Sequence, residues 1–183
     1  MPSLQAHLLI ASRSLLDPNF VRTVVLILQH NEQGALGLVL NRPADKTVKQ
    51  LWRELGGSEC RVDEPVRLGG PVPGPLMAVH ANQFFAELEV MPGVFFAARK
   101  DHLDELVRHE GDPLRIFVGH SGWGPGQLER ELAEGAWHTL PATSEYVFQD
   151  TSELWEAAVR SVGRSTLRSV LGIQDIPEDP TVN

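Results

Sequence analysis

The chain has 183 residues, 42% of them hydrophobic, and carries a formal charge of −8. That length supports one sizeable core, and no low-complexity stretch divides it into two. The negative balance argues against nonspecific affinity for nucleic acid or anionic membrane, because such binding depends on neutralising phosphates.

The first apolar run, Leu8 to Ala11, stops at Ser12-Arg13 and has no basic leader before it, so no signal peptide is expected. Val24 to Leu28 falls far short of the ~20 apolar residues of a membrane helix. Leu8 to Ala11, Thr23 to Gln29 and Ala35 to Leu40 read as strands. The last two form a hairpin across His30-Asn31-Glu32-Gln33-Gly34. Their nearly continuous apolar character predicts that both faces are covered. Arg42-Pro43 ends the second of them. Thr47 to Leu55 predicts a helix, with Val48, Leu51, Trp52 and Leu55 on one face and Thr47 and Gln50 spaced as a capping box. Cys60, the one cysteine, lies in the polar loop beyond. It excludes an internal disulfide and an all-cysteine metal site, and it fits a reducing, cytoplasmic compartment.

Val66 to Leu68 and Leu76 to His80 read as strands around an ordered turn, Gly69 to Pro75. Val94 to Ala98 gives another short strand, and a helix carrying Leu103, Leu106 and Val107 stops near Gly111. Leu114 to Val118 is a strand that leads into a glycine-rich turn from Gly119, followed by a short helix with Leu128 and Leu132 inward. Ala136 to Leu140 is the last strand. A long helix from about Thr151 to Leu171 carries Leu154, Trp155, Ala158, Val159 and Val162 as its apolar stripe, with Asp150 and Glu153 at its N-terminal turn. The expected organisation is one domain over residues 1–174 and a frayed tail over 175–183. Strands that neighbour one another early, with helices at irregular intervals, make the class α+β.

Three constellations could carry chemistry. Ser121 in Gly119-His120-Ser121-Gly122-Trp123 sits where a hydrolase nucleophile elbow would, with His30, His80, His102 or His138 as conceivable bases. Trp123 occupies the place where that motif requires glycine, which favours a hydroxyl satisfying turn backbone. Arg160, Arg164 and Arg168 form a ridge shaped for phosphates, although Glu156 one turn earlier favours an ion-paired, solvated face. Gly122 to Gly126 lacks the lysine of a phosphate-binding loop. Neither a metal nor a cofactor is expected: the histidines are scattered, and the face of His102, Glu105 and His109 is read as solvated. Trp123 and Trp137 suit either a core corner or a recognition surface.

Several blocks together resemble the YqgE/AlgH family of bacterial proteins. They are Leu8 to Ala11, Asp17 to Thr23, His30 to Pro43, Gly69-Gly70-Pro71-Val72, and Gly122 to Glu129 through Trp137. The resemblance spans nearly the whole chain in order. It implies a strongly bent, mostly antiparallel or mixed sheet flanked by helices, and a cytoplasmic protein without an established reaction. Family members are often described as candidate transcriptional regulators, yet no DNA-binding motif is visible here. Members commonly carry Tyr-Ala where this chain has His120-Ser121, which counts against a family-wide serine nucleophile.

The shared blocks are loops at strand ends, and brought to one edge they would form a groove. Its expected members are Asp17, Arg22, His30, Asn31, Asn41, Arg42, Gly69, Gly70, Pro71, Gly122, Trp123, Gly124, Gly126, Gln127 and Glu129. The leading expectation is a non-enzymatic regulatory or adaptor protein that binds a partner protein or small ligand there. Asn41, Arg42, Trp123 and Gln127 would be the contacts, so Arg42→Ala with Trp123→Ala should abolish capture and spare stability. A hydrolase using Ser121 and a nucleic-acid-binding regulator using the arginine ridge are the alternatives. No membrane partner is expected, and an exposed sheet edge would permit a homodimer.

Overall fold

A computed structural model describes residues 2–57, 59–109, 111–149 and 152–171, with side chains in the last stretch described through 166. The expected tail, Asp150 and the side chain of Arg168 lie outside the described residues.

Five strands build the first half of a bent sheet, in the order β10 (Trp137–Pro141), β1 (His7–Ala11), β2 (Val24–Asn31), β3 (Gly34–Val39) and β9 (Leu114–Trp123). All of these pairings are antiparallel. Period-two alternation sends Leu8, Ile10, Val24, Leu26 and Leu28 to one face and Leu9, Ala11, Val25 and Ile27 to the other. Helix α5 (Leu154–Leu171) covers the first face through Leu154 and Ala158, and α3 (Gln127–Ala133) covers the second through Leu128. The apolar runs of β1 and β2 are thus continuous because both faces are dry.

The second half continues from β9 through β6 (Val72–His80), β8 (Val94–Ala97) and β7 (Leu88–Met91). On the other side of β9, β5 (Pro65–Leu68) adds in parallel and pairs in turn with β4 (Pro43–Thr47). Helices α1 (Val48–Glu54) and α2 (Lys100–Leu106) cover this half, packing Val48, Trp52, Leu103 and Leu106 against Ala78, Leu114 and Ile116. The capping box forms as expected: the Thr47 hydroxyl accepts from Gln50 N, and the Gln50 side chain accepts from Thr47 N. A short helix α4 (Ser144–Phe148) precedes α5. The chain is one α+β domain with a bent, mostly antiparallel sheet flanked by helices.

Two expected turns are largely strand. β9 runs on to Trp123, because Ser121, Gly122 and Trp123 pair with Gly37, Leu36 and Ala35 of β3. Gly119, at φ 71°, lets the strand change partner at that point, from β5 before it to β3 after it. Likewise Val72 already pairs with His120, and Pro73 and Pro75 fall in the irregular stretch between Val72 and Leu76. A proline is tolerated there because no regular ladder needs its missing N–H.

Candidate functional site

The expected groove residues divide between the two ends of the β2–β3 hairpin. At the end where β2 begins, the loop before it is fixed by its own polar groups. The Asp17 carboxylate accepts from Asn19 N at 2.8 Å, and its carbonyl accepts from Phe20 N and Val21 N. Asn41 then staples that loop to the sheet: its Oδ1 accepts from Val24 N at 2.9 Å, and its Nδ2 donates to Arg22 O at 2.9 Å. Arg42 adds a donation to Val21 O at 3.2 Å. Arg22, at φ 56°, is turned toward α5 by this arrangement. Its guanidinium lies over the Trp155 ring, 4.9 Å from the centroid, and ion-pairs with Glu156.

Two further arginines join Arg22 from the strands behind it. Arg67 of β5 is buried and donates to Leu40 O at 3.3 Å. Arg115 of β9, with a side chain only 10% exposed, ion-pairs with Glu64 and donates to Phe148 O at 2.6 Å. Its Nε is buried and has no acceptor among the described residues. Together with Asn41, Pro43, Pro65 and Ser152, these residues line a cleft of about 690 Å³. The Glu156 carboxyl is held below its ordinary pKa by its own backbone N–H and by Arg22.

At the opposite end of the hairpin the expected contacts are turned inward. Trp123 is 5% exposed and Trp137 is 4% exposed. Their indole N–H groups donate to the same oxygen of Glu131, at 2.9 and 2.8 Å, while Gln127 Nε2 holds the other oxygen at 2.9 Å. Phe20 stacks on Trp123 and meets Trp137 edge-on. This is a closed corner of the core, so Trp123 and Gln127 are not exposed contacts: the indole and amide N–H groups are spent on Glu131, and the Gln127 oxygen on Gly124 N. His30 is also buried, with Nδ1 accepting from Leu4 N, which leaves Nε2–H to donate to Glu129 at 3.0 Å. Glu129 is held below the usual carboxylate range, first by its own backbone N–H and then by His30. Asn31 Oδ1 accepts from Gln33 N in the hairpin turn, Gly124 N donates to Gln127 Oε1, and Gly126 caps α3 in the left-handed conformation. Gly122 is exposed in β9.

Gly69, Gly70 and Pro71 lie between these ends, where β3 and β9 separate. Gly69 O accepts from Val39 N at 2.9 Å, and Gly69 N donates to Val118 O at 2.9 Å. A Cβ on Gly70 would come within 2.3 Å of the His120 carbonyl. These glycines therefore serve close backbone packing.

Ser121 is 0% exposed, and its hydroxyl donates to Gly69 O at 3.1 Å instead of to a histidine. It stands within a strand, so the strand-to-helix elbow that would present it is not formed there. Arg160 and Arg164 are exposed on α5. Among the described residues no group of three or more His, Cys, Asp or Glu is placed to hold a metal, and no helix is long and apolar enough to cross a membrane.

Residues 8–166 match the model of the family described as AlgH-like. The chain belongs to the AlgH-like family. It is 40% identical over 177 residues to the UPF0301 protein of Myxococcus xanthus, covering 94% of this chain and 98% of that protein. It is also 40% identical over 163 residues to the UPF0301 protein CT0663 of Chlorobaculum tepidum, covering 85% of each. Among solved AlgH-like structures, the solution structure of AlgH from Pseudomonas aeruginosa superposes with a TM-score of 0.74 at 29% identity over 96% of both chains. Protein DIP2367 of Corynebacterium diphtheriae shares the fold, with a TM-score of 0.69 at 22% identity over 88% of this chain and 87% of that one.

Proposed function

We propose that this AlgH-like protein is a non-enzymatic regulatory or adaptor protein, and that it captures its ligand or partner in the cleft of Arg22, Asn41, Arg67 and Arg115. The observation that carries this reading is the convergence of three arginines from the β2 approach loop, β5 and β9 on one cleft of about 690 Å³. That volume lies within the range of small-molecule sites. Against these three guanidinium groups the lining sets two carboxylates, Glu64 and Glu156, so the cleft keeps a small excess of positive charge in a chain of formal charge −8. The buried hydroxyl of Ser121 gives a hydrolase no comparable support. A cytoplasmic setting accords with the single half-buried thiol of Cys60.

Affinity capture from native lysate, with wild-type protein and Arg22→Ala side by side and nuclease added to half the samples, tests the reading. Arg22 is a suitable probe because its side chain is 62% exposed, so its truncation should leave the fold intact. A protein or small molecule retained by the wild type, insensitive to nuclease and lost from the variant is the expected result. Equal retention by both proteins would remove the cleft from the function, and nuclease-sensitive retention would favour a nucleic-acid role for Arg160 and Arg164.

A further inference from the structure

We infer that the group admitted to this cleft is a phosphate, carried by a small monoester or free in solution; the inference rests on the cleft being the binding site. The chemistry of the cleft itself selects it. Two of its guanidinium groups already hold carboxylates, Glu156 on Arg22 and Glu64 on Arg115. Those glutamate side chains are 37% and 50% exposed, and solvent weakens such pairs enough for a ligand to exchange with them.

What exchanges must be a better anion than what it replaces. A monocarboxylate would substitute like for like and still lose its translational freedom, and a dicarboxylate such as succinate divides its charge between two separate groups, so each guanidinium again meets one carboxylate. A phosphate monoester brings roughly twice the charge and three acceptor oxygens, and guanidinium groups match that geometry with paired N–H donors. Arg115 keeps its Nε–H buried and without an acceptor among the described residues, so what it offers a ligand is the guanidinium end that Glu64 now holds. Arg22, at the exposed lip, is positioned for first encounter. Trp155 fixes its approach, since the indole N–H is itself tied to Ala11 O at 2.8 Å and keeps the ring in place beneath the guanidinium.

The resident carboxylates also make a prediction that a generic basic patch does not. Glu156 is a competitor for Arg22, so removing its charge should tighten phosphate binding, although Glu156 is part of the cleft wall.

Isotope-labelled protein is titrated at constant ionic strength with inorganic phosphate, glycerol 3-phosphate, and succinate as the carboxylate control. The readouts are the Trp155 indole N–H and the arginine Nε–H resonances. Saturable shifts with the phosphates and none with succinate are expected. Arg22→Gln should weaken binding about tenfold or more, and Glu156→Gln should tighten it roughly threefold, with unchanged melting temperatures showing that both variants fold. Tighter binding of glycerol 3-phosphate than of inorganic phosphate supports a monoester as the source, and the reverse order supports the free ion. Succinate binding as well as phosphate would overturn the phosphate assignment while leaving the cleft as the site. Phosphate binding undiminished by Arg22→Gln, weakened by Glu156→Gln, or absent altogether would also overturn the inference. The capture comparison of Arg22→Ala decides the cleft reading separately.

Discussion

Glu131 is the residue on which one corner of the core depends. Two buried indoles and an amide share its carboxylate, so Glu131→Ala would leave two indole N–H donors without an acceptor. A loss of about 2–3 kcal/mol is expected from urea denaturation. Trp123→Ala should cost more, about 3–5 kcal/mol, because it also opens a cavity beside Phe20 and Trp137. An unmoved urea midpoint for Trp123→Ala would contradict its assignment to the core. His80 gives a second test. It is fully buried, and burial pushes its pKa down from the ordinary 6.5 to about 4. Between those two values the unfolded chain binds a proton that the folded chain refuses, so stability falls as pH drops through that window. The loss should reach on the order of 3 kcal/mol by about pH 4. His80→Leu should flatten that part of the stability profile, and an equally steep profile in the variant would assign the effect to other groups. At this scale the sequence singled out Arg22 and Asn41, which line the proposed cleft. Arg67, Arg115 and Trp155 were not legible, because they arrive from β5, β9 and α5 and no local pattern couples those elements.

Among the elements, those with strong periodicity or a cap could be read directly. The apolar runs of β1 and β2 and the Thr47 box of α1 each have a local cause, and each forms where expected. Elements defined by their neighbours could not be read that way. β4, Pro-Ala-Asp-Lys-Thr, has no apolar alternation and exists because β5 pairs with it. The end of β9 looks like a turn by composition, yet β3 supplies the ladder that makes it a strand. The Gly69-Gly70 junction where β3 and β9 part is correspondingly intolerant. Gly70→Ala would drive a Cβ into the His120 carbonyl, with a backbone at φ 154° that disfavours any side chain. A loss of about 2–3 kcal/mol is expected by calorimetry, whereas an unchanged melting temperature would mean that the two backbones separate without penalty.

In the whole molecule, three hydrophobic clusters meet along a single strand. β9 gives Leu114 and Ile116 to the cluster under α1 and α2, Phe117 to the one under α5, and Trp123 to the one under α3. The same strand supplies Arg115 to the cleft, so the geometry of the cleft and the integrity of all three clusters are tied to it. β1 shows a related dependence, lying between β2 and β10 with His7 opposite Pro141. For a protein made from its N-terminus, β1 therefore leaves the ribosome more than a hundred residues ahead of β10 and waits for it before both its edges are paired. Until residue 141 has emerged, a nascent chain keeps an apolar edge open to any other unpaired strand. A polypeptide ending at residue 136 should accordingly aggregate or stay bound to chaperones in a translation extract, and its recovery as a folded monomer would show that the first strand can manage alone.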